Sequence, residues 1–431
     1  MELEGGAILF ALESRTLPIV SISISTRSGS THDPSEKEGL LRTSLRMLRR
    51  GAGKLTAAEI EETIDQLGAE LSIDVGPSTM TIYAQVIARN VEPMCALIAT
   101  LLSSPTVPQD ELARLVRETH AEIMESRDND RSLAERAFRR AVFHGHPYGR
   151  STRGAHATID RIKRNDVLSA LRKHLVKGNV AIAIAGDVTV ERAEQLAQKL
   201  VGALPDGARV KDPTPEPEVK RGKHLVFVDK PERTQAQVLI GGLGTSAHDE
   251  DHTALAVGNA VFGGTFTARL MKEVRSKRGW SYGASSRLGV DRRRQSFAMW
   301  TFPKASDSAP CLGLELELLQ KWVDGGVTAR ELSSMAKYLV RSYAFDVDTA
   351  SKRAHQSLDV EILGLPEDYY SGYTKRVLST KLEDVNKAIK RRISTTDLVI
   401  SVVGTAKDTF DAVRDACGEL TSASVIGFDA D

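Results

Sequence analysis

The feature that most constrains this chain is that it repeats itself. RNDVLSALRKHLVKGNVAIAIAGD aligns without a gap with LEDVNKAIKRRISTTDLVISVVGT, 218 residues further on, pairing Asp166 with Asp384, Val167 with Val385, Ala170 with Ala388, Leu171 with Ile389 and Gly186 with Gly404. A second match, VPQDEL at 107–112 with VTAREL at 327–332, keeps nearly the same offset. Self-similarity at a fixed spacing marks a duplicated structural unit, here of roughly 210–220 residues. In both copies a short amphipathic helix leads into a strand of alternating apolar residues, Val180-Ile182-Ile184 or Leu398-Ile400-Val402, that ends at a glycine.

Between the copies, residues 204–222 read LPDGARVKDPTPEPEVKRG, four prolines among charged residues. Such a run suits an extended linker and neither a helix nor a central strand. Two domains follow, 1–203 and 223–431. Each opens on strand signals, at 7–12 and 19–25 in the first half and at 224–228 and 236–240 in the second. In 19–25, Val20, Ile22 and Ile24 alternate with serines. Helical patterns follow: Thr56 and Glu59 form a capping box, Ile60, Ile64 and Leu67 share a face, and Gly68 stops the helix. Strands at both ends of each half, with helices between, give an α+β layer in which helices cover one face of the sheet.

Composition narrows the function classes. The 431 residues carry 58 Lys+Arg against 57 Asp+Glu, a formal net charge of +1, without the basic excess of a nucleic-acid binder. Cys95, Cys311 and Cys417 are odd in number, far apart and without a C-x-x-C, so they support neither a disulfide framework nor a cysteine zinc site; they read as small buried hydrophobes. No apolar run approaches the roughly 20 residues of a membrane-spanning helix. Residues 1–12 lack the basic and apolar regions of a signal peptide, and nothing assigns a compartment: cytoplasmic or, with a leader already removed, periplasmic.

Three stretches carry a family resemblance: SGSTHDPSEKEGLL at 28–41, HGHPYGRSTRG at 144–154 and GGTFTARLMKEVRSKRGWSYGASS at 263–286. With the duplicated α+β plan they resemble the pitrilysin or insulinase family of zinc peptidases, including the mitochondrial processing peptidase type. The resemblance implies two homologous α+β domains, each a largely antiparallel sheet covered by helices, in the pitrilysin (LuxS-like metallohydrolase) fold. The family's first catalytic helix reads G-L-x-H-x-x-E-H-x-L-x-x-G. In that frame both histidine positions are arginine, Arg42 and Arg46, and the general-base glutamate is Leu45. A guanidinium stays protonated and has no lone pair for a metal, and leucine accepts no proton from water. The third ligand position, about 76 residues beyond Arg46, is Glu122.

The arginines Arg42, Arg46 and Arg50 repeat at i, i+4, i+8, a repulsive spacing of roughly 0.2–0.5 kcal/mol per pair unless negative groups compensate. They read either as a solvated face paired with Glu122 and other carboxylates, or as a basic wall toward a substrate chamber or an acidic partner. His248 and His252 mimic a metal spacing in HDEDH, against the simpler reading of a helix start; His144 and His146 resemble the family's structural turn. Thr81 and Tyr83 match a family strand motif, whereas its nearby asparagine and alanine fall at Ser72 and Ile73.

In heteromeric members of the family one subunit carries zinc and the other positions substrate through an arginine–tyrosine pair of its C-terminal half. The resemblance carries that role to Arg278 and Tyr282, which a helical turn would set on one face, with Gly263 and Gly264 giving close backbone approach. It therefore implies a catalytically inactive subunit of a heterodimeric zinc peptidase. That subunit holds no cofactor of its own, and its partner, of similar size, bears zinc on H-x-x-E-H. The alternatives are a non-enzymatic, peptide-binding or structural homodimer of the same fold, and a hydrolase built on His248 and His252.

Overall fold

The structure, a computed structural model, describes residues 1–430. The chain forms two compact units. The first comprises Met1–Ile123, Arg150–Thr214 and Ala344–Glu367, the second Met124–Gly149, Pro215–Tyr343 and Asp368–Asp431.

The first unit is built on strands β1 (Ile8–Glu13), β2 (Ile19–Thr26), β3 (Glu70–Val75), β4 (Met80–Ile87) and β5 (Val180–Gly186). They lie in the order β1-β5-β2-β4-β3, with β1 and β5 parallel and the other neighbours antiparallel. The second unit has β6 (Lys223–Asp229), β7 (Gln237–Leu243), β8 (Ala284–Leu288), β9 (Ser296–Thr301), β10 (Leu398–Gly404) and β11 (Ser422–Gly427). Their order is β8-β9-β7-β10-β6-β11. Without β11, which runs parallel to β6 on its outer side, this is the first sheet again: β6-β10-β7-β9-β8 against β1-β5-β2-β4-β3. The parallel pair recurs, β6 with β10. The repeated helices are Arg164–His174 and Leu382–Arg392, each feeding its strand at the same offset.

Alternation along β2 sorts Val20, Ile22 and Ile24 onto one face, where they join the main core of the unit. Ser21, Ser23 and Ser25 point the other way and are buried too. The expected single helical layer is therefore corrected to two. The second face, small-sided with Ala181, Ala183 and Ala185 of β5 beside the serines, packs against helix Ala350–Leu363 through Ala350, Ala354, Leu358 and Ile362. Small side chains let a helix axis approach a sheet closely. The second sheet has the counterpart: helix Asp130–Val142 places Leu133, Ala134 and Phe138 on Val228, Leu239 and Val399, and Ser401 Oγ donates to Ala134 O at 3.0 Å. Each half of the sequence thus supplies the helix that covers the rear of the other half's sheet.

Candidate functional site

Helix Leu40–Met47 carries Arg42, Leu45 and Arg46, the positions that the sequence resemblance sets against the family's metal motif. It starts after Gly39, whose φ of +91° suits a residue without a side chain. The buried Asp33 carboxylate accepts the N–H groups of Gly39 at 2.8 Å and Leu41 at 2.9 Å, pinning the first turn. Leu41, Leu45 and Met47 face the core and are fully buried, so position 45 is a packing residue here. Arg42 and Arg46 face the other way, toward helix Gln109–Ser126, which buries Leu112, Leu115 and Ile123 and presents Glu111, Glu118 and Glu122 along one side.

The two helices are joined by a ladder of ion pairs. Arg42 Nη2 donates to Glu122 Oε2 at 2.8 Å, and Arg46 Nη1 lies 2.9 Å from Glu122 Oε1, so both carboxylate oxygens face a guanidinium. Arg46 Nη2 is 3.8 Å from Glu118; Arg50 donates to Glu118 at 2.6 Å and to Glu111 at 3.3 Å; Arg114 closes the row on Glu118 at 3.1 Å. The sequence leaves the arginine stripe open between a paired face and a basic wall, and the structure pairs every member. Burial alone raises the Glu122 carboxyl, but Arg42 and Arg46 more than offset it and hold it below the ordinary carboxylate range. Burial and the neighbouring Arg42 lower Arg46, against the pull of Glu122 and Glu118.

A zinc site at this place needs about three electron-pair donors. The residues present do not fit that ion: of the positions set against the motif Glu122 alone is a donor, the Glu122 and neighbouring Glu118 carboxylates are engaged by arginines, and the buried Leu45 offers neither lone pair nor base. Among the described residues no group of three or more His, Cys, Asp or Glu is arranged to hold a metal. His248 and His252 do not form one helical turn, because the helix begins only at His252; His252 is buried with Nε2 3.2 Å from the Tyr369 hydroxyl. His146 is structural, its Nδ1 accepting the Tyr148 N–H at 3.1 Å while Nε2 donates to Pro215 O at 3.0 Å; His144 is exposed. Cys95, Cys311 and Cys417 are buried, and burial pushes the thiol of Cys95 up to about 11 and that of Cys417 up to about 12.

In the second unit the structure does not bring Arg278 and Tyr282 onto one helical turn. The helical segment Met271–Ser276 ends before them, and Gly279, at φ +67°, turns the chain away. Arg278 folds back on Glu273, donating to its carbonyl and its carboxylate at 3.0 Å each, and stacks on Trp280. The guanidinium that meets Tyr282 is Arg275, 4.3 Å from the ring centroid, and its carbon lies 4.8 Å from the Phe266 ring as well. Tyr282 and Phe266 are 74% and 69% exposed, so this stack of two rings and a cation stands open to solvent. The sequence reading missed Arg275; the glycine after Arg278 was the available signal that a turn, not a helix, separates Arg278 from Tyr282. Gly263 has a packing reason: a Cβ there would lie 2.4 Å from Ser286 Oγ on β8. Gly264 is exposed and free of such a clash.

Of the family-strand residues, Thr81 and Tyr83 sit in β4, where Thr81 Oγ1 meets Ser25 Oγ at 2.8 Å and Tyr83 donates to Gln85 at 2.9 Å. Ser72 and Ile73 lie opposite Tyr83 and Ile82 on β3, the last strand of its sheet, which pairs on one side only.

Two family models match in sequence, "Insulinase (Peptidase family M16)" over residues 9–156 and "Peptidase M16 inactive domain" over residues 161–339. The chain belongs to peptidase family M16. Among M16 relatives, the chain is 21% identical over 397 residues to the "Non-peptidase homolog YmxG" of Helicobacter pylori, covering 92% of this chain and 91% of that one. An uncharacterized zinc protease of Rickettsia felis is 25% identical over 292 residues, 66% of this chain and 68% of that one. In three dimensions the chain resembles the peptidase M16 inactive domain from Pseudomonas fluorescens, with a TM-score of 0.88 and 24% identity over 94% of this chain and 97% of that one. At that identity the structural likeness speaks for the M16 fold.

Proposed function

We propose that this M16 chain is a catalytically inactive, substrate-positioning subunit of a heterodimeric zinc peptidase. One observation carries the reading: where the family needs metal ligands and a base, two guanidiniums clamp the remaining carboxylate and a leucine fills the core. Zinc and the hydrolytic water belong, in this reading, to a partner of similar size with H-x-x-E-H. The printed name of the Helicobacter pylori relative, a non-peptidase homolog, supports the same view.

Each unit, taken by itself, offers contacts to a peptide. The outer side of β3, which no strand covers and where Arg49 engages the Leu71 carbonyl, offers its remaining backbone N–H and C=O groups to a strand added in register. The exposed Arg275–Tyr282 pair offers cationic and phenolic donors to peptide carbonyls, with Arg275 taking the place expected for Arg278.

The test is co-purification from the native cell followed by kinetics of the recovered complex. The reading expects an H-x-x-E-H subunit to come with this chain, and kcat/KM to fall between about tenfold and a hundredfold for Arg275→Ala or Tyr282→Ala. A chain recovered only as a homodimer, or one that cleaves peptides by itself in a chelator-sensitive way, overturns it.

A further inference from the structure

Beside the ion-pair ladder the first unit has an open cleft of about 540 Å³. Its wall is cationic, formed by Arg46, Arg49, Arg50 and Arg114, and its one acidic lining residue is Glu61. Helix Ala57–Gln66 points its first residues, Ala57 and Ala58, at the same space, and N–H groups at a helix start favour negative charge. Across the ladder and cleft, Arg42, Arg46, Arg49, Arg50 and Arg114 face Glu61, Glu111, Glu118 and Glu122, which leaves one positive charge in excess. Arg114 is the most exposed of these cations, with 59% of its side chain accessible. Each guanidinium carries five N–H donors, more than the shared carboxylates engage.

The position of the cleft says what would enter it. Ile73 of the edge strand β3 lines it, and Arg49 reaches under that strand, Nη1 donating to Leu71 O at 2.6 Å. A peptide added alongside β3 would place alternate side chains on the Ile73 face, about 4.8 Å away and over the arginines. The intervening side chains would lie on the Ser72 face, away from them.

We infer that this cleft is a specificity pocket for acidic side chains of a peptide bound along β3. The inference rests on the edge-strand reading given above and adds to it the chemical class of the ligand. Charge-assisted hydrogen bonds from arginine to a carboxylate supply the selectivity, and the helix start adds to them.

The experiment is a pair of binding titrations of the purified chain, by fluorescence anisotropy, with a labelled extended peptide bearing glutamate at every second position and with the same peptide bearing glutamine. The pocket predicts about tenfold tighter binding of the glutamate peptide at low salt, a preference that shrinks as salt screens the charges. Arg46→Gln combined with Arg114→Gln should bring the two affinities together by weakening the glutamate peptide's binding the more. Equal binding of both peptides to the unaltered chain overturns the pocket but leaves peptide binding at the edge intact. If neither peptide binds, the edge-strand reading fails and the pocket with it. Because the decisive comparison changes the peptide, it does not depend on a variant folding.

Discussion

At the scale of single residues, the site turns on Glu122. Arg42 and Arg46 now stabilise that carboxylate from both sides, so removing it leaves two half-buried guanidiniums in mutual repulsion. Glu122→Ala should destabilise the chain by about 1–3 kcal/mol in denaturant titrations, and adding Arg42→Ala should recover part of that loss. Conversely, Arg42→His with Arg46→His places two imidazoles one helical turn apart opposite Glu122. That variant should bind one zinc ion, measured by mass spectrometry of the metal, and lose it again when Glu122 becomes glutamine. A different residue sets pH behaviour. Glu315 is wholly buried, its Oε2 accepts the Thr301 hydroxyl at 2.9 Å, and burial pushes its carboxyl up to about 8. The folded chain then keeps a proton that the unfolded chain releases from about pH 4.5 upward. The Glu315 contribution to stability therefore falls as pH rises from about 4.5 to 8 and is level above that. Glu315→Gln should remove that slope and raise Tm at pH 8 relative to the unaltered chain; equal slopes for the two proteins would contradict this.

Among the elements, what the sequence announced and what it hid differ in a physical way. Local chemistry was legible. The Thr56–Glu59 capping box forms as read, with Glu59 Oε2 accepting the Thr56 N–H at 2.8 Å, and Gly68 stops the helix at φ +57°. The repeated strands run Val180–Gly186 and Leu398–Gly404. The arginine stripe and Glu122 meet across two helices, as the paired-face alternative expects. Hidden were the pairings that depend on distant sequence. The serines of β2 look like a solvent face because small polar residues carry no period of their own, and the helix that buries them comes from residues 350–363. Replacing a small residue on that face tests the exchange: Ala183→Leu should overpack the contact and cost about 1–3 kcal/mol, whereas an open face would tolerate it. The helical turn expected for Arg278 and Tyr282 fails for a related reason, since their spacing fits a helix and only the backbone turn at Gly279 undoes it.

Taken as a whole, the molecule is a duplicated sheet-and-helix plan whose two copies have kept their strand order. In the first copy a ladder of arginines and glutamates occupies the positions that the sequence resemblance sets against the family's metal ligands. The account's central claim is that this chain holds no catalytic metal of its own. It is tested most directly by equilibrating the purified chain with excess zinc, removing what is unbound, and measuring zinc per chain together with peptide cleavage before and after a chelator. The account predicts far less than one zinc per chain and no chelator-sensitive cleavage. One tightly held zinc per chain that disappears on Glu122→Gln, with cleavage lost alongside it, would contradict it.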